Sequence, residues 1–301
     1  MVKIDLAPFR HLYPFASRFQ EVNGRRMHYV DEGAGEPVVM LHGNPTWSFY
    51  FRELIKAVSQ TRRAIAPDHI GCGLSEMPAA GAYPFRLINR IDDLDRLLET
   101  IGLREKITLI LHDWGGMIGA AYALRRPERI GRLIVLNTAA FRKPAGKPLP
   151  PVLAFIRKTA RISGPAILRF NLFARGAILT ASVKPLPPTV QRGLLAPTRA
   201  PAGRTATLQF VLDIPLTARD PSFPIVRRVD EGLQALADTP MLICWGAKDF
   251  VFDVDYFQEW RRRFPNAEAH LFARAGHYLL EDAPDAIVPL VLDFLHRHPL
   301  P

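Results

Sequence analysis

Lys106-Ile-Thr-Leu-Ile-Leu-His-Asp-Trp-Gly-Gly-Met-Ile-Gly119 is the stretch on which the fold turns. Its apolar run from Ile107 to Leu111, bounded by glycines, reads as a strand at the centre of a parallel sheet. A tight turn on Asp113 follows, and a helix opens at Gly115-Gly116, where missing side chains let it begin hard against the strand. Strand, turn and helix in that order make a nucleophile elbow, which lifts one side chain above the sheet. Here that residue is an aspartate, not a serine. The N–H groups and dipole at the helix N-terminus are expected to keep Asp113 ionised. Taken alone, the pattern equally fits an aspartate capping a helix after a core strand.

Working outward, Asn23-Gly24 signals a hairpin turn between Phe19-Gln-Glu-Val22 and Arg26-Met-His-Tyr-Val30. Short apolar strands are expected at Pro37–Leu41, Arg63–Pro67, Arg132–Leu136, Pro240–Trp245 and Ala269–Phe272. Thr46 is expected to cap the helix after the first of these. Between strands, Leu87, Ile91, Leu94, Leu98 and Ile101 fall on one helical face, with Arg90, Asp93, Arg96 and Glu99 elsewhere. A last amphipathic helix is expected from Pro284 to His296. Alternation of this kind implies an α/β fold with a doubly wound, mostly parallel sheet. The character changes at Phe141. From 141 to 223 the chain is rich in Pro and Arg, and its apolar segments look helical. That stretch is read as a helical cap inserted into a core formed by 1–140 and 224–301.

The 301 residues are 48% hydrophobic, enough for a substantial core. Cys72 and Cys244 form neither a disulfide framework nor a metal pattern, which fits a reducing compartment and two small buried groups. No signal-peptide h-region and no run of about 18 apolar residues is present, so a cytoplasmic protein without a transmembrane segment is expected. The net charge is +10, with clusters at Arg261–Arg263, Arg227-Arg228 and Arg125-Arg126. No nucleic-acid-binding motif accompanies it. Solvated helix faces explain the charge; the alternative is an acidic protein partner or an anionic membrane surface.

Four expected strand ends carry polar residues: His42-Gly43-Asn44, Asp113-Trp114, Lys248-Asp249 and Gly276-His277. In open parallel sheets reactive groups collect beyond the carboxyl ends of strands, and nucleophile, acid, histidine is the chain order of α/β-hydrolase triads. Each residue also has a bland reading. Asn44 suits a turn before Pro45, Trp114 suits packing under the cap, Asp249 suits a helix cap, and His277 suits a loop.

The motifs His-Gly-Asn-Pro-Thr-Trp-Ser-Phe (42–49), His-Asp-Trp-Gly-Gly (112–116), Trp-Gly-Ala-Lys-Asp (245–249) and Gly-His (276–277) resemble those of α/β-hydrolases with an Asp nucleophile, the haloalkane-dehalogenase-like group. Within it the chain is most similar to the β-lactone decarboxylases of bacterial long-chain olefin biosynthesis. The supporting stretches are Pro67–Gly71, His112–Gly119, Ile243–Asp253 and Asn171–Gly176. The resemblance implies conversion of a cis-3,4-dialkyl β-lactone to a cis-alkene and CO2, with no metal or organic cofactor. It implies Asp113 as nucleophile, His277 as general acid or base, and Asp249 as the group orienting His277. Asn137 stands where some dehalogenase-like enzymes place this acid and is an amide, which leaves Asp249. Asn44 and Trp114 would supply backbone N–H groups to an oxyanion hole and side-chain N–H groups to the same cavity. Phe155, Ile167, Phe170, Phe173 and Leu179 would line an apolar cap for long alkyl chains. Other enzymes of the pathway are implied as partners in an assembly.

The alternative activity is haloalkane dehalogenation, in which Asp113 displaces halide and His277 activates water on the ester. Epoxide hydrolysis is disfavoured because residues 141–223 contain no tyrosine, and serine esterase chemistry because no Gly-x-Ser-x-Gly occurs. A catalytically silent fold acting as a binding protein is a further alternative, opposed by the presence of all three expected triad residues.

Overall fold

Asn23 and Gly24, both at positive φ, turn the chain between β1 (Arg18–Val22) and β2 (Arg25–Glu32). The computed structural model describes residues 4–79, 81–144 and 146–300; positions 1–3, 80, 145 and 301, which fall within the expected core and cap segments, lie outside them. The remaining strands are β3 (Pro37–Leu41), β4 (Arg63–Pro67), β5 (Ile107–Asp113), β6 (Ile130–Thr138), β7 (Met241–Gly246) and β8 (Glu268–Phe272). They form one eight-stranded sheet in the order β1-β2-β4-β3-β5-β6-β7-β8. Only β2 runs against its neighbours; all other pairs are parallel. The carboxyl ends of β3, β5, β6 and β7 therefore share one edge. All of β3 and β5 is buried. Along β5, Leu109 and Leu111 enter the core on one face and Ile110 the core on the other. Burial on both faces explains an unbroken apolar run where one wet face would demand alternation.

Helices α1 (Arg52–Val58), α2 (Leu87–Thr100) and α3 (Trp114–Arg125) follow β3, β4 and β5. Between β6 and β7 the regular structure is helical: α4 (Pro151–Phe170), α5 (Leu172–Thr180), α6 (Pro188–Leu195), α7 (Thr205–Leu212) and α8 (Phe223–Gly232), the last packing on α3. The chain closes with α9 (Val254–Arg263), α10 (Leu279–Asp282) and α11 (Pro284–Arg297). None of the helices is long and apolar enough to cross a membrane among the described residues. Cys72 and Cys244 are both buried, and burial pushes the Cys72 thiol up to about 12.

Two local expectations fail, both through tertiary contacts. Thr46 caps no helix: a 3-10 turn at Ser48–Phe51 precedes α1, and the Ser48 N–H is taken by Asp68 Oδ1 at 2.7 Å, from the loop after β4. Arg90 and Asp93, expected off the apolar face of α2, are buried. Asp93 accepts from Asn23 Nδ2 (2.9 Å) and Tyr83 Oη (2.7 Å), while the Arg90 guanidinium lies 3.4 Å from the centre of the Phe210 ring. The β1–β2 hairpin and α7 thus cover faces of α2 that its periodicity alone leaves open.

Arg52 of α1 binds Glu281 of α10 through two 2.6 Å bonds, with side chains 6% and 4% exposed. A buried guanidinium that loses its carboxylate cannot recover its hydration. Glu281→Ala is expected to destabilise the fold by about 3–5 kcal/mol, whereas Arg52→Met combined with Glu281→Leu should cost far less. Urea unfolding of the three proteins checks the difference.

Candidate active site

Asp113 ends β5 and starts α3 in a conformation that side chains rarely adopt, φ 51° and ψ −125°. Such a backbone costs about 1–3 kcal/mol and persists only when its surroundings dictate it. The surroundings here are identifiable. The Thr138 hydroxyl donates to the Asp113 carbonyl from the end of β6. The start of α3 is pressed so tightly on β3 that a Cβ at Gly115 would lie 2.0 Å from the Leu41 carbonyl oxygen. The expected elbow is therefore present, with the helix starting one residue earlier, at Trp114.

The Asp113 carboxylate is held asymmetrically. Its Oδ1 accepts the Asn44 backbone N–H at 2.5 Å, and the Trp114 N–H assists the carboxylate. Its Oδ2 lies 3.7 Å from His277 Nε2. Gly43 leaves room for this arrangement, since a Cβ there would approach Oδ1 to 1.9 Å. The loop carrying Gly43 and Asn44 is fixed from below: His42 Nδ1 donates to the Gly43 carbonyl at 2.8 Å, and His42 Nε2 accepts the His69 N–H at 3.1 Å. Burial lowers the pKa of His42, which keeps it neutral in that role.

His277 Nδ1 bonds Asp249 Oδ2 at 2.8 Å. Asp249 is itself fully engaged, taking the N–H groups of Val251 (2.7 Å) and Phe252 (3.1 Å) on Oδ1 and the Asn137 amide (2.9 Å) on Oδ2. Asn137 also bonds both ways with Gly246, accepting its N–H at 2.7 Å and donating to its carbonyl at 3.2 Å. The amide thus clamps the ends of β6 and β7 and orients Asp249, a role that its residue type alone did not disclose. His112 supports the same unit, its Nε2 donating to the His277 carbonyl at 2.9 Å.

The site raises the proton affinity of both Asp113 and His277. Burial pushes the Asp113 carboxyl above the usual range, against the pull of His277 and the two backbone N–H groups. The expectation drawn from the helix terminus left burial out. For His277, burial disfavours the imidazolium, but Asp249 and then Asp113 outweigh it and hold the pKa above the ordinary value.

Asp113, His277, Asn44 and Trp114 all line one cavity of about 900 Å³ whose walls are overwhelmingly apolar, including Met117, Leu153, Ile156, Ile167, Phe173 and Phe252. Asn44 Nδ2 donates to the Thr207 carbonyl at 3.0 Å, so one of its two side-chain hydrogens is already committed to α7. No partner is found for Trp114 Nε1 among the described residues. Of the five aromatic and aliphatic cap residues expected in the wall, Phe155, Ile167 and Phe173 are there. Phe170 and Leu179 are not: they are 54% and 80% exposed, because their helices turn those positions outward. Tyr256 of α9 also lines the cavity, a tyrosine from outside 141–223. Among the described residues no cluster of His, Cys, Asp or Glu fit to hold a metal occurs.

The family model of the α/β-hydrolase fold matches residues 36–284, and the chain belongs to this family. It is 46% identical over 286 residues, 94% of this chain and 89% of the other, to a cis-3-alkyl-4-alkyloxetan-2-one decarboxylase of Shewanella oneidensis. It is 33% identical over 301 residues, 97% of this chain and 99% of the other, to haloalkane dehalogenase 2 of Mycobacterium bovis. Among solved structures, the haloalkane dehalogenase DatA from Agrobacterium tumefaciens C58 superposes with a TM-score of 0.83 at 24% identity, covering 94% of this chain and 97% of that one, a likeness of fold.

Removing the Asp249 charge takes away the strongest upward pull on the imidazole while its burial remains. Asp249→Asn should therefore lower the His277 pKa and shift the corresponding limb of the pH–rate profile to lower pH. Titration of His277 by NMR, with and without the substitution, measures the displacement.

Proposed function

We propose that the protein is a cis-3-alkyl-4-alkyloxetan-2-one decarboxylase, releasing a cis-alkene and CO2 with Asp113 as its nucleophile. The observation that carries this reading is a carboxylate with one oxygen pinned and the other free, at the wall of a large apolar cavity. The greater sequence identity to the decarboxylase than to the dehalogenase favours the lactone as substrate. A volume of about 900 Å³ lies near the top of the ~300–1,000 Å³ range of ligand pockets and suits two long alkyl chains.

Chemistry selects the carbon attacked. Attack at the lactone carbonyl would leave an alkoxide on C4, and alkene formation would then require expelling it, which is unfavourable. Attack by Asp113 Oδ2 on C4 instead breaks the C4–O bond, and the ring oxygen departs with the electron pair as a carboxylate. The strain of the four-membered ring drives that step. The resulting alkyl ester keeps its carbonyl oxygen, formerly Oδ1, on the N–H groups of Asn44 and Trp114. In the second step the bond to CO2 breaks, its electron pair forms the double bond, and the C4–Oδ2 bond returns its pair to Asp113. Inversion at C4 followed by anti elimination carries a cis-lactone to a cis-alkene. Neither water nor a net proton enters.

Asn44 and Trp114 side-chain N–H groups would receive the new substrate carboxylate in this scheme. His277, held by Asp249 and 3.7 Å from Oδ2, favours the return of negative charge to Asp113 when protonated. Residues 141–223 act as the cap over the core of 1–140 and 224–301. The same proposal places the enzyme in the cytoplasm, in an assembly with the enzymes that supply its insoluble lactone.

One observation favours a second reading, haloalkane dehalogenation: the His277–Asp249 pair is complete for activating water on an alkyl ester. Purified protein offered a cis-dialkyl β-lactone should yield alkene, and 1-bromohexane should release little bromide; bromide release with an inert lactone would reverse the assignment. Asp113→Ala should lower alkene formation by about 10⁴-fold or more, as expected on losing a nucleophile. His277→Gln should slow alkene formation without abolishing it, since no step draws on a base. A hydrolase would instead stop at one bromide per enzyme and accumulate the ester at Asp113, detectable by mass spectrometry.

A further inference from the structure

The positive charge of the molecule is not spread over it. Residues 141–223 hold thirteen Lys and Arg but only two acidic residues, Asp213 and Asp220, so this segment carries the whole excess and the rest of the chain is within one charge of neutral. Both acids are consumed internally: Asp213 by Arg86 and the Leu87 N–H, Asp220 by Arg157. Lys158, Arg161, Arg169 and Arg175 are exposed and have no acidic partner among the described residues.

These cations share their helices with outward-facing apolar side chains. On α4, Val152, Phe155 and Ile162 are 50%, 60% and 83% exposed; on α5, Leu172 and Leu179 are 49% and 80% exposed. Val152, Phe155 and Leu172, together with half-exposed Phe250, also line the cavity that holds Asp113, so they mark its mouth. A neutral, oily substrate gives no reason for unpaired cations on the two helices that carry its entrance. Unpaired cations interleaved with exposed Phe, Ile and Leu are, however, what an interfacial helix presents to anionic lipid.

We propose that the outer face of α4 and α5 docks the enzyme on an anionic membrane surface, with the cavity mouth against the bilayer. Lys158, Arg161, Arg169 and Arg175 would meet lipid phosphates, while Ile162 and Leu179 enter the acyl boundary. An apolar substrate then passes between bilayer and cavity without crossing water. The inference rests on the surface and holds for any apolar substrate, so it stands or falls separately from the decarboxylase reading.

Co-sedimentation of the full chain with vesicles tests it. The protein should pellet with equimolar phosphatidylcholine and phosphatidylglycerol and stay in solution with phosphatidylcholine alone. Raising salt from about 50 mM to about 500 mM should lower binding by at least ~10-fold, through screening. The quadruple variant Lys158→Gln, Arg161→Gln, Arg169→Gln, Arg175→Gln should bind at least ~100-fold more weakly at low salt, at roughly fivefold per residue. Its circular dichroism and melting should match the parent, because none of the four side chains has a salt bridge to lose. Ile162→Ser with Leu179→Ser should keep the low-salt binding and lose the salt-resistant part. A parent protein that ignores both vesicles, or a quadruple variant that pellets like the parent, overturns the proposal. Retention on immobilised polyglutamate without any vesicle binding also overturns it, in favour of an acidic protein partner.

Discussion

The bond from the Asn44 N–H to Asp113 Oδ1 is the constraint around which this fold is arranged. It joins the loop after β3 to the elbow after β5, and it decides which carboxylate oxygen is held and which is free. Everything adjacent serves the same geometry. Thr138 holds the elbow carbonyl, Gly43 leaves space beside Oδ1, and His42 fixes the loop from beneath. A strained φ at Asp113 survives because three strands and a helix leave it no alternative. The site is thus preorganised by backbone N–H groups and by buried side chains that are themselves held in place.

Much of this was legible in the sequence because strong local signals and global topology agreed. The run Ile107–Leu111 reads as a buried strand at the centre of a parallel sheet, and in such a sheet the strand ends at Asn44, Asp113, Asp249 and His277 share one edge. What escaped was decided by contacts between distant segments. Thr46 resembles a cap, but Asp68 reaches the helix entrance first. Arg90 and Asp93 look solvent-facing on a helical wheel, yet Phe210, Asn23 and Tyr83 close over them. Phe170 and Leu179 have the composition of cavity wall and the orientation of surface, and α4 bends at Thr159 in a way no period reveals. The helix dipole was a sound reason for an ionised Asp113, but burial opposes it and is invisible from sequence.

Burial also explains why the site combines an apolar cavity with a dense polar support. A buried, apolar setting strengthens each electrostatic interaction within it, and Asn137 and the Val251 and Phe252 N–H groups all donate to the buried Asp249 there. Asp249 accepts from four donors, one of them His277 at 2.8 Å. Residues of α4, α5 and α7 then line the cavity on the side that the sheet leaves open.

The amide at 137 has a consequence for the wider family of such folds. It sits 2.9 Å from the Asp249 carboxylate. A second acid at that distance would force one of the two to take up a proton, because like charges so close cannot both persist in a dry interior. The ends of β6 and β7 therefore behave as a two-seat bench with a single charged occupant. Moving the acid from one seat to the other demands a paired exchange of Asp and Asn, and a lineage passing through either single replacement would cross a sequence with two competing acids or with none.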